Sequence, residues 1–377
     1  MKRNVVKMDS EAQEDNDKSG ATYKYPIQLT QQFRFCGNAF RIDLYRGCNF
    51  GCNYCFANNR GGVHQKKYDY ADFAQIEYLF TKAFESDRKY KSLLVELLRR
   101  KVPLHCGGMS DPFQRREFSL GLTYKLLELT KKYNYPIMIS TKQSNLPKKY
   151  WDILDNRIHA FQISLMGYDD EFIRKYENNT PSALERISFM QKLHDNGFWV
   201  SMRLQPLIDL EQAKRAVVAV ENIVNYITIE HLKIPNDNRM VKALFEKSIN
   251  KGDYYYPSSM RNMELKKEIK EYNFNEIKKI TKVKLGAGDN DLHYLSDSRN
   301  CCGIDTIGKE FDNWLKYNYT YFVTAKSDEN FDDLWCPQGD VNGFFNADTR
   351  IKGFHYYKEY VDNYVEKFDK KMRRING

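Results

Sequence analysis

The sequence predicts an α/β fold built on a parallel sheet. From Phe40 to about Leu232, short apolar, β-branched runs alternate with longer segments whose apolar residues recur near every 3.6 positions, and each short run ends in a polar loop. The expected strands are Phe40 to Leu44, Pro103 to Cys106, Pro136 to Thr141, Ile158 to Leu165, Trp199 to Leu204 and Tyr226 to Glu230. Ser119 to Tyr133 and Ser182 to Asn196 read as crossover helices between them. Six right-handed βα crossovers fit either an open doubly wound sheet or part of a barrel, and periodicity does not separate the two. After Pro235 the alternation stops. Residues 236–284 are lysine-rich with helical spacing, residues 285–343 are irregular and rich in Gly, Asp and Asn, and a closing helix is expected over Phe354 to Met372. The expected division is a disordered tail over residues 1–25, the α/β unit over 26–235, and a C-terminal helical and irregular domain or lid over 236–377.

Composition sets the outer limits. Hydrophobic residues make up 42% and charged residues 29% of 377 positions, which excludes fibrous and wholly disordered chains. Lys+Arg 59 against Asp+Glu 50 gives +9, a balance that permits an anionic partner such as nucleic acid without showing one. The 27 Tyr and 23 Phe could stack bases, although an AT-rich genome enriches the same residues. No window approaches the ~18 apolar residues of a membrane span, and the N-terminus lacks the apolar segment of a signal peptide. A soluble, cytoplasmic protein is expected. Eight cysteines are too few for a disulfide scaffold, and their grouping suits metal binding in a reducing compartment.

Three of those cysteines stand together. Cys48, Cys52 and Cys55 follow the first expected strand in LYRGCNFGCNYCFANNR, with Gly47 and Gly51 easing the tight backbone. A structural zinc ion wants four ligands, and here the fourth would be His64, nine residues beyond Cys55. A cubane iron-sulfur cluster fully bound by protein also wants four cysteines, so three leave one iron open to an outside ligand.

With that motif in view, the chain resembles the radical S-adenosylmethionine (SAM) superfamily, whose three-cysteine loop follows the first strand of a partial (βα)6 TIM-type barrel. The resemblance selects the barrel, with the C-terminal part as an α-rich, irregular extension. It implies a [4Fe-4S] cluster whose open iron is chelated by SAM, and cleavage of SAM to methionine and a 5′-deoxyadenosyl radical that abstracts hydrogen from a substrate. It also implies a reducing partner such as flavodoxin or ferredoxin. Tyr54 and Phe56 would help to keep water from the cluster. Over about residues 36–210, GGMSDPFQRRE (Gly107 to Glu117), ISTKQ (Ile139 to Gln143) and ISLMGYDDEFIRKYENNTPSALER (Ile163 to Arg186) resemble the successive motifs of the spore photoproduct lyase-like branch. That likeness implies SAM contacts at Gly107, Gly108, Ser110, Lys142 and Ser164. Their expected places near C-terminal strand ends suit this, since those ends of a barrel converge on one face. Without the cysteine loop, each serine would read as a turn former and the lysine as a solvated surface group.

The likeness has gaps. The lyase carries its hydrogen-donating cysteine two residues before the serine of the SD pair, where this chain has Gly108; Cys106, two residues further back on an alternating strand, is the candidate donor, set against its reading as a small buried core residue. The tyrosine after the third cysteine is replaced by Phe56. Repair of a thymine lesion therefore does not follow, and a nucleic-acid base is the leading substrate class. Cys301, Cys302 and Cys336 could hold a second metal or an auxiliary cluster, which would suit a peptide- or protein-modifying enzyme. A non-catalytic zinc- and nucleic-acid-binding module is the reading from a different class. The acidic string Asp289, Asp291, Asp297 and Asp305 lacks calcium-loop spacing and reads as turn chemistry. His105, His159 and His231 could line a barrel, but each more readily reads as a satisfied core residue.

Overall fold

Aliphatic and β-branched runs too short to bury themselves as helices form the central sheet, and amphipathic segments between them cover it. A computed structural model describes residues 21–316 apart from 30–37, 39, 60–68, 89–92, 236–244, 246–248, 257–261, 290 and 299. The sheet comprises β1 (Ile27–Leu29), β2 (Phe40–Ile42), β3 (Leu104–Cys106), β4 (Ile137–Thr141), β5 (His159–Ser164), β6 (Val200–Leu207), β7 (Tyr226–His231) and β8 (Lys284–Ala287). Its spatial order follows the chain from β1 to β8, and every neighbouring pair is parallel except β1 with β2. A doubly wound sheet reverses strand order at a switch point, and this one does not, so the topology is that of a partial barrel. All six expected strands are present. Among the described residues, no helix is long and apolar enough to cross a membrane.

The covering helices include α1 (Phe73–Phe84), α2 (Leu93–Arg99), α3 (Leu122–Lys132), α4 (Ala183–Asp195), α5 (Leu210–Val220) and α6 (Lys267–Ile280). The expected helix over Ser119 to Tyr133 breaks at Gly121, whose φ of 68° ends a short first turn before α3 begins. Ser182 and Glu185 form a capping box at the start of α4.

Two strands of this sheet escaped the sequence reading, and within residues 236–284, expected to be helical, Tyr254–Tyr255 and Asn262–Leu265 instead pair as short antiparallel strands. Strand β1 is three residues of antiparallel edge. Strand β8 lies in KLGA, too short and glycine-bearing to stand out after a lysine-rich helix. It pairs with β7 from Lys284 against Tyr226 to Ala287 against Ile229, so α6 and β8 continue the βα alternation past Pro235. The closing helix over Phe354 to Met372 and most of the N-terminal tail lie outside the described residues.

Alternation gives the sheet two unlike faces. On the helix side Ile42, Cys106, Ile139, Phe161 and Ile163 join one large apolar core. On the other side lie Arg41, His105, Met138, Ser140, Ala160, Gln162, Ser164, Arg203 and Glu230, facing the barrel lumen. The strand residues of this set that keep some exposure are polar or charged. The lower lumen is closed by residues 300–311: Cys302, Ile304 and Phe311 pack on Met138 and Ala160, with Trp199 beside them. Thr228 Oγ1 donates to the carbonyl of Cys301 at 2.8 Å, fixing this segment to β7.

His159 is the satisfied core residue that its bland reading requires. Its Nε2 lies 3.1 Å from Thr130 Oγ1, and its Nδ1 accepts from the Asp155 backbone N–H at 3.0 Å. His231 faces the helix side, with Nδ1 2.7 Å from Asp289 Oδ2. The acidic string does structural work: Asp291 pairs with Lys270 and Asp297 with Lys278.

Phe311 is 1% exposed at the lumen floor. Truncation of Phe311 to alanine should cost about 3–5 kcal/mol of unfolding free energy, measured by urea denaturation. A loss below about 1 kcal/mol would show that the segment does not belong to the folded core.

Candidate active site at the cysteine loop

The three cysteines sit on the loop that leaves β2 at the C-terminal face of the sheet, and all are partly exposed. Gly47 and Gly51 have φ of 74° and 64°, the left-handed turns that the sequence spacing called for. Neighbouring segments clamp the loop from two sides. On one, Gln114 Nε2 donates to the Gly47 carbonyl at 3.0 Å, and its Oε1 accepts from the Asn49 N–H at 3.3 Å. On the other, Cys52 bridges Glu177, Asn53 N–H donates to the Tyr176 carbonyl at 2.8 Å, and Asn179 N–H donates to that of Phe50 at 3.1 Å. The motifs GGMSDPFQRRE and YENNTPSALER are thus the two jaws that hold the cysteines.

The first jaw is fixed by buried acids. Glu117, fully buried, accepts from Tyr45 Oη, from Tyr150 Oη at 2.7 Å, and from the Thr123 and Tyr124 N–H groups at 2.7 and 2.8 Å. Ser110 Oγ donates to the Tyr45 carbonyl at 2.7 Å. Asp111 accepts from Thr141 Oγ1 and Lys142 N–H, both at 2.7 Å, tying this jaw to the end of β4. Gly107 has φ of 98°, and a Cβ there would lie 2.2 Å from the Ser140 carbonyl, so only glycine fits this crossing. Gly108 meets no such limit, since its Cβ would make ordinary contacts with Asp43, Arg41 and His105.

The second jaw holds a charge cluster that sequence reasoning missed. Glu177, 1% exposed, accepts from Tyr54 Oη, from Thr180 Oγ1 at 2.9 Å and from Arg186 Nη2 at 2.5 Å, and the Lys142 ammonium lies 3.8 Å away. Arg186 is itself fully buried and donates from Nη1 to the Ser164 carbonyl at 3.0 Å. Burial opposes ionisation of Glu177, but Arg186 and Lys142 outweigh it and hold the carboxyl below its usual range. For Lys142 burial again works against the charge, and the Glu177 carboxylate overcomes it, so the ammonium persists. A signal was present in the sequence: a Glu and an Arg on either side of a helix cap in a motif already singled out.

Burial pushes the Cys48 thiol up to about 12, with Asp111 adding to it. It does the same to Cys52, where Lys142 opposes the shift while Glu177 and Cys55 reinforce it. Thiols that burial and mutual repulsion keep protonated become thiolates when a cation shares the site, which is the chemistry of a metal-ligand set. Among the described residues, no three Cys, His, Asp or Glu side chains converge on one point. The three thiols are separate donors, and a cubane takes one thiolate on each of three irons. Cys48 and Cys55 also line a cavity with Arg41, Asp43, Tyr45 and Met109. The residues therefore fit a three-cysteine cluster with room beside it.

With this geometry in place, the comparisons agree. The Radical SAM superfamily model matches residues 42–209. The chain carries a radical SAM domain. An uncharacterised protein of Mycobacterium tuberculosis is 25% identical over 194 residues, 50% of this chain and 54% of its own length, and another of Mycobacterium bovis matches equally. The chain thus spans about half the length of the curated relatives it matches. A spore photoproduct lyase variant with bound AdoMet and dinucleoside spore photoproduct has 14% identity and a TM-score of 0.47, covering 74% of this chain and 83% of that one. Streptococcus suis SuiB bound to its precursor peptide SuiA has 13% identity and a TM-score of 0.48, covering 91% and 69%. Likenesses this distant carry no information on substrate.

The radical SAM domain brings together most of the expected site. Gly107, Gly108, Ser110, Lys142 and Ser164 all lie at or just past C-terminal strand ends, on the cysteine side. Two expectations need correction. Cys106 ends β3 on the helix side, paired in register with Ile42 and 1% exposed in the apolar core, because alternation sends His105 rather than Cys106 into the lumen. Phe56 is 52% exposed and does not shield the cysteines, whereas Tyr54 turns inward to Glu177 beneath the Lys142 ammonium. Cys301 and Cys302 are neighbours, but Cys336 and the zinc candidate His64 lie outside the described residues.

Glu177→Gln would leave Arg186 buried without its anion and should cost about 3–5 kcal/mol. Asp152→Asn, which breaks the exposed Lys148–Asp152 pair, should cost under about 1 kcal/mol. Equal urea midpoints for the two variants would contradict the buried cluster.

Proposed function

We propose that this chain is a radical SAM enzyme that abstracts hydrogen from a nucleic-acid base. The observation that carries the reading is the Cys48, Cys52 and Cys55 loop, clamped at the C-terminal face beside a cavity and matched by the family model. A [4Fe-4S] cluster with bound SAM would supply the 5′-deoxyadenosyl radical, and the electron would come from a flavodoxin- or ferredoxin-type partner.

The chain's own residues hold and enclose. Cys48, Cys52 and Cys55 bind the cluster, and Lys142 offsets the negative charge that gathers beside Cys52. Ser110 has committed its hydroxyl hydrogen to Tyr45, so its oxygen remains an acceptor for SAM. Gly107 and Gly108 would allow close approach of the cofactor, and Lys142 and Ser164 would contact it. The lumen walls keep water from the radical. The nucleobase assignment is supported by the +9 charge, which suits a polyanionic partner.

Protein reconstituted anaerobically with iron and sulfide, then reduced by dithionite in the presence of SAM, should release 5′-deoxyadenosine. Cys52→Ala should abolish that release while the apoprotein keeps its thermal midpoint. Undiminished 5′-deoxyadenosine from the folded Cys52→Ala protein would overturn the assignment.

A further inference from the structure

The lumen contains a cation without a carboxylate partner. Arg203 projects inward from β6, in register with Ser164. Its Nη1 donates to Ser140 Oγ at 3.0 Å, and its Nε and Nη2 donate to Gln205 Oε1 at 3.1 and 2.6 Å. Both partners are neutral. Among the described residues no carboxylate forms an ion pair with it, since Glu230 is engaged by Lys233 at 2.6 Å and Asp43 lies nearest Arg41 at 3.7 Å.

The surroundings reinforce this charge. His105 Nε2 lies 2.7 Å from the same Ser140 Oγ, and that hydroxyl donates to Gln162 Oε1 at 2.9 Å. Burial first, then Arg203 and Arg41, hold His105 down to about 3, so it stays neutral and adds no positive charge of its own. Arg203 also draws the Cys301 thiol at the floor toward its anion, after that thiol's hydrogen bond with Cys302. A half-buried guanidinium held only by neutral oxygens favours an acceptor that brings negative charge, and its planar fork suits two oxygens sharing one charge.

We propose that Arg203 receives a monoanionic oxyanion of the substrate, a phosphodiester under the nucleic-acid reading above, on which this inference rests. Arg203 then orients the substrate from inside the barrel, while the cysteine loop acts from its rim.

The test uses full-length, anaerobically reconstituted protein with dimethyl phosphate and acetate as probes at chloride-matched ionic strength. Dimethyl phosphate should raise the thermal midpoint saturably, and its half-saturation should weaken about tenfold or more in Arg203→Gln and less in Arg203→Lys, which keeps the charge but loses the fork. Arg215→Gln, which removes a surface pair with Asp169 and a cation–π contact over Tyr168 away from the lumen, should respond as the native chain does. SAM affinity and 5′-deoxyadenosine release without substrate should stay within about twofold of native in Arg203→Gln. No saturable response, or one that survives in both Arg203 variants, would overturn the site. Tighter binding of acetate would overturn the phosphodiester in favour of a carboxylate substrate. A loss of SAM affinity would reassign Arg203 to the cofactor. Absence of 5′-deoxyadenosine from the native protein would instead remove the radical SAM reading, whatever the anions do.

Discussion

The buried carboxylate of Glu177 is the constraint on which the site's geometry depends. It is shared by groups from separate parts of the chain: Tyr54 from the cysteine loop, Lys142 from the end of β4, and Arg186 from α4. Arg186 in turn holds the Ser164 carbonyl at the end of β5. One anion thus fixes the cysteines relative to two strands. A buried carboxylate and guanidinium are expensive to desolvate, and apolar residues of similar size could fill the space more stably. Their role is therefore geometric. They set the direction of approach of an otherwise irregular loop, and they place an ammonium next to Cys52.

Glu117 does the matching work on the opposite flank, taking four donors and fixing Tyr45 just ahead of the loop. Between these two acids the loop has little freedom, although it has no regular secondary structure beyond a short 3-10 turn at Phe56–Asn59. Preorganisation of this kind is what a metal-ligand loop requires, because ligand positions left to fluctuate weaken both metal binding and the chemistry that follows. The sheet's two faces divide the remaining labour. The helix side is apolar and supplies the core, while the lumen side carries Arg41, His105, Ser140, Gln162 and Arg203.

Much of this was legible in the sequence because strong local signals agree with the global fold. The six strands from Phe40 to Glu230 stood out as apolar runs bounded by polar loops, and the family resemblance carried by the cysteine motif implied a barrel before strand order was known. What was not legible depended on side-chain direction or on long-range contact. Cys106 could be placed on a strand but not on a face until its register with Ile42 was fixed. Strand β8 lacks a periodic pattern of its own and exists because β7 offers it an edge. Glu177 and Arg186 look like ordinary surface charges near a helix start, and only the folded chain buries them together. The lysine excess after Pro235 suggested a separate lid, whereas Lys270 and Lys278 are used to pin the turn after β8 through Asp291 and Asp297.

Under the proposed function, Cys48, Cys52 and Cys55 carry a cluster with one iron open to SAM. The most direct measurement is the low-temperature electron paramagnetic resonance spectrum of the reduced, reconstituted protein with and without SAM. A [4Fe-4S]+ signal whose g-values shift on addition of SAM is expected, as direct ligation of the open iron requires. A reduced-cluster spectrum unchanged by saturating SAM, or bound zinc in place of iron, would contradict it.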